Sequence, residues 1–206
     1  MRNENQFEEK IIPEAYIAVK NLRQEVFNNN IVYLPNQVEF EIELFNPLNE
    51  KVLAILTLNG KRESSGIILK PGQRYFLDRF LNENKKFLFD VYQVEAKNSV
   101  VERAIEDNGK IKIEFYKEKE KNIIPFEDKQ ILFSLFIDTK ETGRVEKGSV
   151  SQQKFKTVDF DAERNSFITI EYRLLPISEK IFCSQCGKRI EGIRDKYCSI
   201  CGTYLL

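Results

Sequence analysis

Period-two alternation of apolar and polar side chains organises most of this chain. Val38, Phe40, Ile42 and Leu44 alternate with Glu39, Glu41 and Glu43, which predicts a half-buried strand with a carboxylate-bearing outer face. Asn46 and Pro47 end it. Residues 52–58 are almost continuously apolar and lead into Asn59-Gly60, a strong hairpin signal. The return strand is expected at once or delayed to 66–69, with 61–65 in a loop. Pro71-Gly72 suits the centre of a type II turn, leading to a strand or corner over 74–81 with Tyr75, Leu77 and Arg79 on one side. Residues 86–94 are apolar on both faces except at Asp90 and Gln93, as expected of a strand lying centrally between two layers.

After Asn108-Gly109, Ile111, Ile113 and Phe115 alternate with Lys112 and Glu114. Residues 131–137 are again continuously apolar, and Ile168, Ile170, Tyr172 and Leu174 share one face of a last strand closed by Pro176. Two stretches depart from this period. Ala15, Ala18, Val19, Leu22 and Val26 follow helical spacing, with Pro13 suited to a first turn, so a short helix is predicted over 14–27. Tyr16, Ile17 and Val19 would serve an edge strand equally well. Residues 139–155 are polar and contain Gly143 and Gly148, which predicts a long mobile loop, an arm that a partner orders through Phe155, Val158 and Phe160.

About eight strands without regular helix alternation define a mainly β protein: an antiparallel β-sandwich or jelly-roll-like domain. The expected division is an N-terminal segment 1–30 (helix or arm), the β-domain 31–176, and a zinc ribbon 177–206. A chain of 206 residues with 42% apolar positions can bury a core of its own. Thirty-two basic residues balance thirty-two acidic ones, so no net field gathers nucleic acid or an anionic membrane over a distance. Histidine is absent, which removes the commonest general base and argues against triad hydrolysis; the expectation is a non-enzyme. The opening MRNENQFEEK lacks an apolar core, and no apolar run approaches membrane-spanning length, so secretion and membrane insertion are not expected.

All four cysteines fall in the last 24 positions, as Cys183-x-x-Cys186-Gly187 and Cys198-x-x-Cys201-Gly202. Two residues between thiolates let both sulfurs reach one tetrahedral ion, and the following glycine tolerates the positive φ of a tight knuckle. The eleven residues between Cys186 and Cys198 include Glu191-Gly192, which can turn a hairpin that closes a ribbon around one structural zinc. With every ligand position filled by sulfur, none is open to water or substrate, so the site is structural. A reducing cytosol suits such thiols better than a disulfide framework does; iron in the same cage and redox dithiols are the competing readings. The surface expected of the ribbon carries Lys188, Arg189, Arg194 and Lys196. Five basic against three acidic residues over 179–206, or +2, favour protein contact over nucleic acid.

Other motifs have plainer readings. GKRESSG (60–66) and GRVEKGS (143–149) lack the spacing and strand-to-helix context of phosphate loops and are expected to be ordinary loops. Glu39, Glu41 and Glu43 are expected to face solvent. Arg74 and Arg79 are expected to form buried pairs with a carboxylate such as Asp78 or Asp90.

The blocks VEFEIELFNPLNEKVLAILTLNG (38–60), LKPGQRYFLDRFLNENKKFLFDVYQVE (69–95), IKIEFYKE (111–118) and ETGRVEKGSVSQQKF (141–155) resemble a group of β-rich proteins encoded by tailed bacteriophages and large DNA viruses, in which a zinc ribbon can follow. The resemblance runs from about residue 31 and supplies no catalytic residues. It implies a virion-associated structural or auxiliary protein, made in a host cytoplasm, that contacts other virion or assembly proteins or itself. The rival expectation is an intracellular, cytoplasmic adaptor or regulator whose ribbon contacts nucleic acid or a polymerase-like partner.

Overall fold

The computed structural model describes residues 11–93, 106–119, 141–177, 183, 185–186 and 196–204. Among these residues the strands run β1 (Glu14–Val19), β2 (Leu22–Arg23), β3 (Ile31–Leu34), β4 (Val38–Phe45), β5 (Val52–Leu58), β6 (Lys61–Leu69), β7 (Arg74–Leu77), β8 (Lys85–Gln93), β9 (Lys110–Lys117), β10 (Glu141–Val150) and β11 (Ile168–Pro176). One sheet has the order β10-β8-β4-β1-β2, and β7 continues along the side of β4 that β8 begins; the other has the order β3-β11-β9-β5-β6. The pairing of β11 with β3 is parallel, and the other pairings are antiparallel. Among the described residues the chain is therefore mainly β, with two sheets, neither of them closed. No helix among the described residues is long and apolar enough to cross a membrane.

Both sheets turn apolar side chains into one cluster. Phe40, Ile42, Phe87 and Phe89 of the first sheet meet Leu34, Leu56, Ile113, Phe115 and Leu174 of the second, all fully buried. Each such side chain contributes about 1.5–3 kcal/mol. The alternation read in β4, β9 and β11 thus faces the core as expected. β8 is central within its sheet, flanked by β10 and β4. Only one of its faces is sealed, however: Phe87 and Phe89 are buried while Leu88 and Tyr92 are half-exposed. The apolar run 131–137 lies outside the described residues.

The helix expected over 14–27 is not formed there. β1 and β2 make a hairpin whose two turn residues, Lys20 and Asn21, take φ of 54° and 61°, the left-handed pair that matches strand twist. β1 pairs with β4 from Glu14↔Phe45 to Ala18↔Glu41, which buries Ala15, Ile17 and Ala18. A helical stripe would also have buried Leu22, which is 70% exposed. The ladder with β4 overrides local periodicity.

Within the stretch 139–155 expected as an arm, 141–150 instead form β10, paired with β8 from Glu141↔Gln93 to Lys147↔Phe87. Its polar composition suits an edge strand. Its Gly143 answers to packing, because a Cβ there would collide with the ring of Phe89. Beyond β10, Phe155 rests on Tyr75 and beneath the Arg79 guanidinium, whereas Val158 is exposed. Residues 61–65 also belong to a strand: β6 starts directly after Asn59 (φ 47°) and Gly60 (φ 74°) and slips register between Ile55↔Gly66 and Thr57↔Arg62. Both glycine-containing segments expected as loops, 60–66 and 143–149, are therefore largely strand.

Side chains from elsewhere close several sheet edges. Asn59 donates Nδ2–H to the Val145 carbonyl (2.7 Å) and accepts at Oδ1 from Val145 N–H (3.1 Å) and Gly109 N–H (3.0 Å), so one turn residue satisfies β10 and the 108–109 turn. Gln153 similarly donates to the Phe76 carbonyl (2.6 Å) and accepts from Asp78 N–H (3.3 Å) along β7. Tyr172 of β11 donates its hydroxyl to the Ala15 carbonyl of β1 (2.7 Å), joining the two sheets.

Burial pushes the Tyr172 phenol up to about 12. A group whose folded pKa is raised contributes stability that is complete below its unfolded value near ~10 and is lost as pH rises through the folded one. The urea midpoint is therefore expected to fall between pH 10 and about 12. Tyr172→Phe should cost ~1 kcal/mol at neutral pH through the lost hydrogen bond, yet flatten that alkaline decline. Parallel pH curves for the two proteins would contradict the assignment.

Candidate metal centre

The second knuckle is built by backbone before any ion is considered. Tyr197 and Tyr204 form an antiparallel bridge, Cys198 N–H donates to the Thr203 carbonyl (2.7 Å), and Gly202 N–H donates back to the Cys198 carbonyl (2.9 Å). Closing that turn puts Gly202 at φ 71°, the conformation anticipated for a glycine after the second cysteine. Gly187, its counterpart, lies outside the described residues, as do Glu191-Gly192 and the cations Lys188, Arg189 and Arg194. Lys196 is exposed.

The structure brings all four predicted ligands together: the sulfurs of Cys183, Cys186, Cys198 and Cys201 lie within 4.8 Å of one another. Cys183 Sγ stands 3.5 Å from Cys201 Sγ, and Cys186 Sγ 3.6 Å from Cys198 Sγ. These separations are far beyond the ~2.05 Å of a disulfide. They approach the edge of about 3.8 Å that a tetrahedron of Zn–S bonds near 2.3 Å would have. Four soft thiolates at this spacing fit one metal ion, and among the described residues no other group of three or more metal-ligating side chains converges. Cys183 and Cys198 are buried, while Cys186 and Cys201 face solvent.

The local hydrogen bonds favour thiolates. The Thr203 hydroxyl, 3.1 Å from Cys201 Sγ, and then the Thr203 backbone N–H draw the Cys201 thiol down to about 6. Backbone N–H groups of Cys201 and Ile200 lower Cys198. Both thiols are thus prepared for a cation.

The remaining candidates are engaged elsewhere. Glu43 is not solvent-facing but buried. Arg23 grips it with Nε and Nη2 at 2.6 and 2.8 Å, and Arg74 closes the other side. The two guanidiniums stack on Tyr16 and Phe45 respectively, which shields the ion pairs. Arg74 therefore makes the expected pair with a buried carboxylate, and that carboxylate is Glu43, not the Asp78 or Asp90 offered as examples. Arg79 bonds Asn84 and the Phe80 and Gln153 carbonyls, Asp78 accepts from the Ser151 hydroxyl, and Asp90 accepts from Gln37. Glu39, held below the usual carboxylate range chiefly by its hydrogen bond with Ser149, also pairs with Lys86 (3.3 Å). Glu41 accepts from Asn21 N–H (2.7 Å). The three carboxylates of β4 are thus committed separately and do not share a cation.

Sequence reasoning passed over the apolar surface beside the sulfurs. Tyr197 and Tyr204 meet edge to face at 5.3 Å, and with Ile200 all three side chains are about 60% exposed. The signal was present in the two tyrosines that bracket the second C-x-x-C. Comparison of the chain with family models, with curated proteins and with solved structures gives no match.

Proposed function

We propose that this chain is a non-enzymatic, virion-associated structural or auxiliary protein. In this reading the two sheets form a sandwich of jelly-roll type that takes in β1 and β2 together with 31–176, so the expected separate segment 1–30 does not hold for these strands, and 177–206 is a zinc ribbon that serves as a second contact module. The convergence of four thiolates carries the proposal: it offers an ion a complete ligand set, so the ion stabilises a small surface and does no chemistry. The exposed tyrosines and Ile200 give that surface the aromatic and apolar character of protein contacts. The sequence resemblance to phage and viral β-rich proteins supplies the setting. Mass spectrometry of purified particles from the source virus tests it: this chain is expected in every particle, and its complete absence would refute the reading.

The second reading, an intracellular adaptor whose ribbon contacts nucleic acid or a polymerase-like partner, draws on Tyr197 and Tyr204 standing exposed beside Lys196, since aromatic faces with nearby cations can stack single-stranded bases. Salt-sensitive binding of a short single-stranded oligonucleotide that is lost in Tyr197→Ala would favour it.

A further inference from the structure

The two sulfur approaches of 3.5 and 3.6 Å both run between the knuckles, Cys183 to Cys201 and Cys186 to Cys198, and together use all four thiols. Each couples one buried sulfur to one exposed sulfur. An oxidant in solvent meets Cys201 and Cys186 first, and in each case a second thiol is already in position to attack the product. Closing either pair to a bond of ~2.05 Å requires a movement of only about 1.5 Å.

We propose that this centre is an oxidative modification site: hydrogen peroxide converts it into two disulfides across the knuckles, Cys183–Cys201 and Cys186–Cys198, and the metal is released. The proposal rests on the reading of the four thiols as a zinc site. In the first step the Cys201 thiolate attacks a peroxide oxygen. An S–O bond forms, the O–O bond breaks, and the departing hydroxide takes a proton to leave as water, so the peroxide is reduced and the sulfur oxidised to a sulfenic acid. The Cys183 thiolate then attacks that sulfur, the S–S bond forms, and hydroxide leaves and is protonated. Cys186 and Cys198 repeat the sequence, so one peroxide is consumed per disulfide and two per centre. Sulfurs bonded to each other no longer carry the charge that held the cation.

Because each new bond joins one knuckle to the other, the 186–198 connection stays closed after the metal has gone. Oxidised protein should therefore keep a compact C-terminal module where reduced, metal-free protein does not.

The test uses the reduced full-length chain, its metal content measured first, titrated with hydrogen peroxide while a chromogenic chelator reports zinc. Non-reducing peptide mapping follows. Expected are one zinc released per chain as two peroxides are consumed, and linked peptides joining Cys183 to Cys201 and Cys186 to Cys198. Bonds within the knuckles (Cys183–Cys186 and Cys198–Cys201), sulfinic acids without disulfides, or zinc retained at excess peroxide would overturn the proposal. Absence of zinc before any peroxide is added would instead overturn the zinc reading, and the disulfide map would still report which sulfurs meet.

Discussion

Cys198→Ser, or treatment with a strong chelator, is expected to unfold the C-terminal module and leave the two-sheet body intact. A segment of about thirty residues cannot bury a core sufficient for independent stability. In the zinc-ribbon reading a bound zinc would supply that folding free energy, about 10 kcal/mol or more for a structural site. The two sheets already share a full apolar cluster between β1 and β11. Purified wild-type protein should carry one zinc per chain, and the variant none. Limited proteolysis should then cut the variant after residue 176, while its circular dichroism stays β-rich and its main thermal transition stays cooperative. If that transition disappeared with the metal, the module would be integral to the core and the boundary at Pro176 would be wrong.

Gly109→Ala is expected to cost the two-sheet body ~3 kcal/mol or more, because left-handed strain and overpacking add there. Gly109 has a φ of +70°, and a Cβ on it would stand 2.5 Å from the Leu174 carbonyl oxygen and 2.8 Å from that of Gly143. Both obstacles are strand backbone, one in each sheet, so neither can swing aside as a side-chain tip would. The residue also donates to Asn59 Oδ1 and accepts from Leu174 N–H at 2.8 Å, and any shift would loosen both bonds. Gly72 provides the control. It has nearly the same φ, +68°, with nothing within 4 Å of the added carbon, so Gly72→Ala should show conformational strain alone, about 1 kcal/mol. Urea unfolding of the two variants separates the contributions. Equal losses would mean that crowding at Gly109 is relieved at no cost.

Where a segment's periodicity and its burial coincide, the fold was legible from residues alone. Val38 to Leu44, Ile111 to Phe115 and Ile168 to Leu174 alternate because one face of each strand meets the core. Asn59-Gly60 specifies its turn because both positions need positive φ. The metal centre was the most legible feature: C-x-x-C is a local device, and two copies at short separation leave few other uses. Its geometry adds what spacing could not, namely which sulfurs approach across the knuckles and which face solvent.

Elsewhere the residues were compatible with two structures, and only non-local contact decided between them. Ala15, Ala18 and Val19 satisfy a helical stripe as well as a strand, and the ladder offered by β4 selected the strand. Residues 141–150 look like a loop by composition, since an edge strand needs little apolar surface; pairing with β8 makes them β10, and the ring of Phe89 explains Gly143. Glu43 is indistinguishable in sequence from Glu39 and Glu41. It is buried because Arg23, twenty positions earlier on β2, reaches it across β1, and Arg74, thirty-one positions later, arrives on the adjacent β7. Local pattern reports what a segment can bury, whereas pairing and ion-pair partners are set by strands distant in the chain, so those choices belong to the tertiary structure.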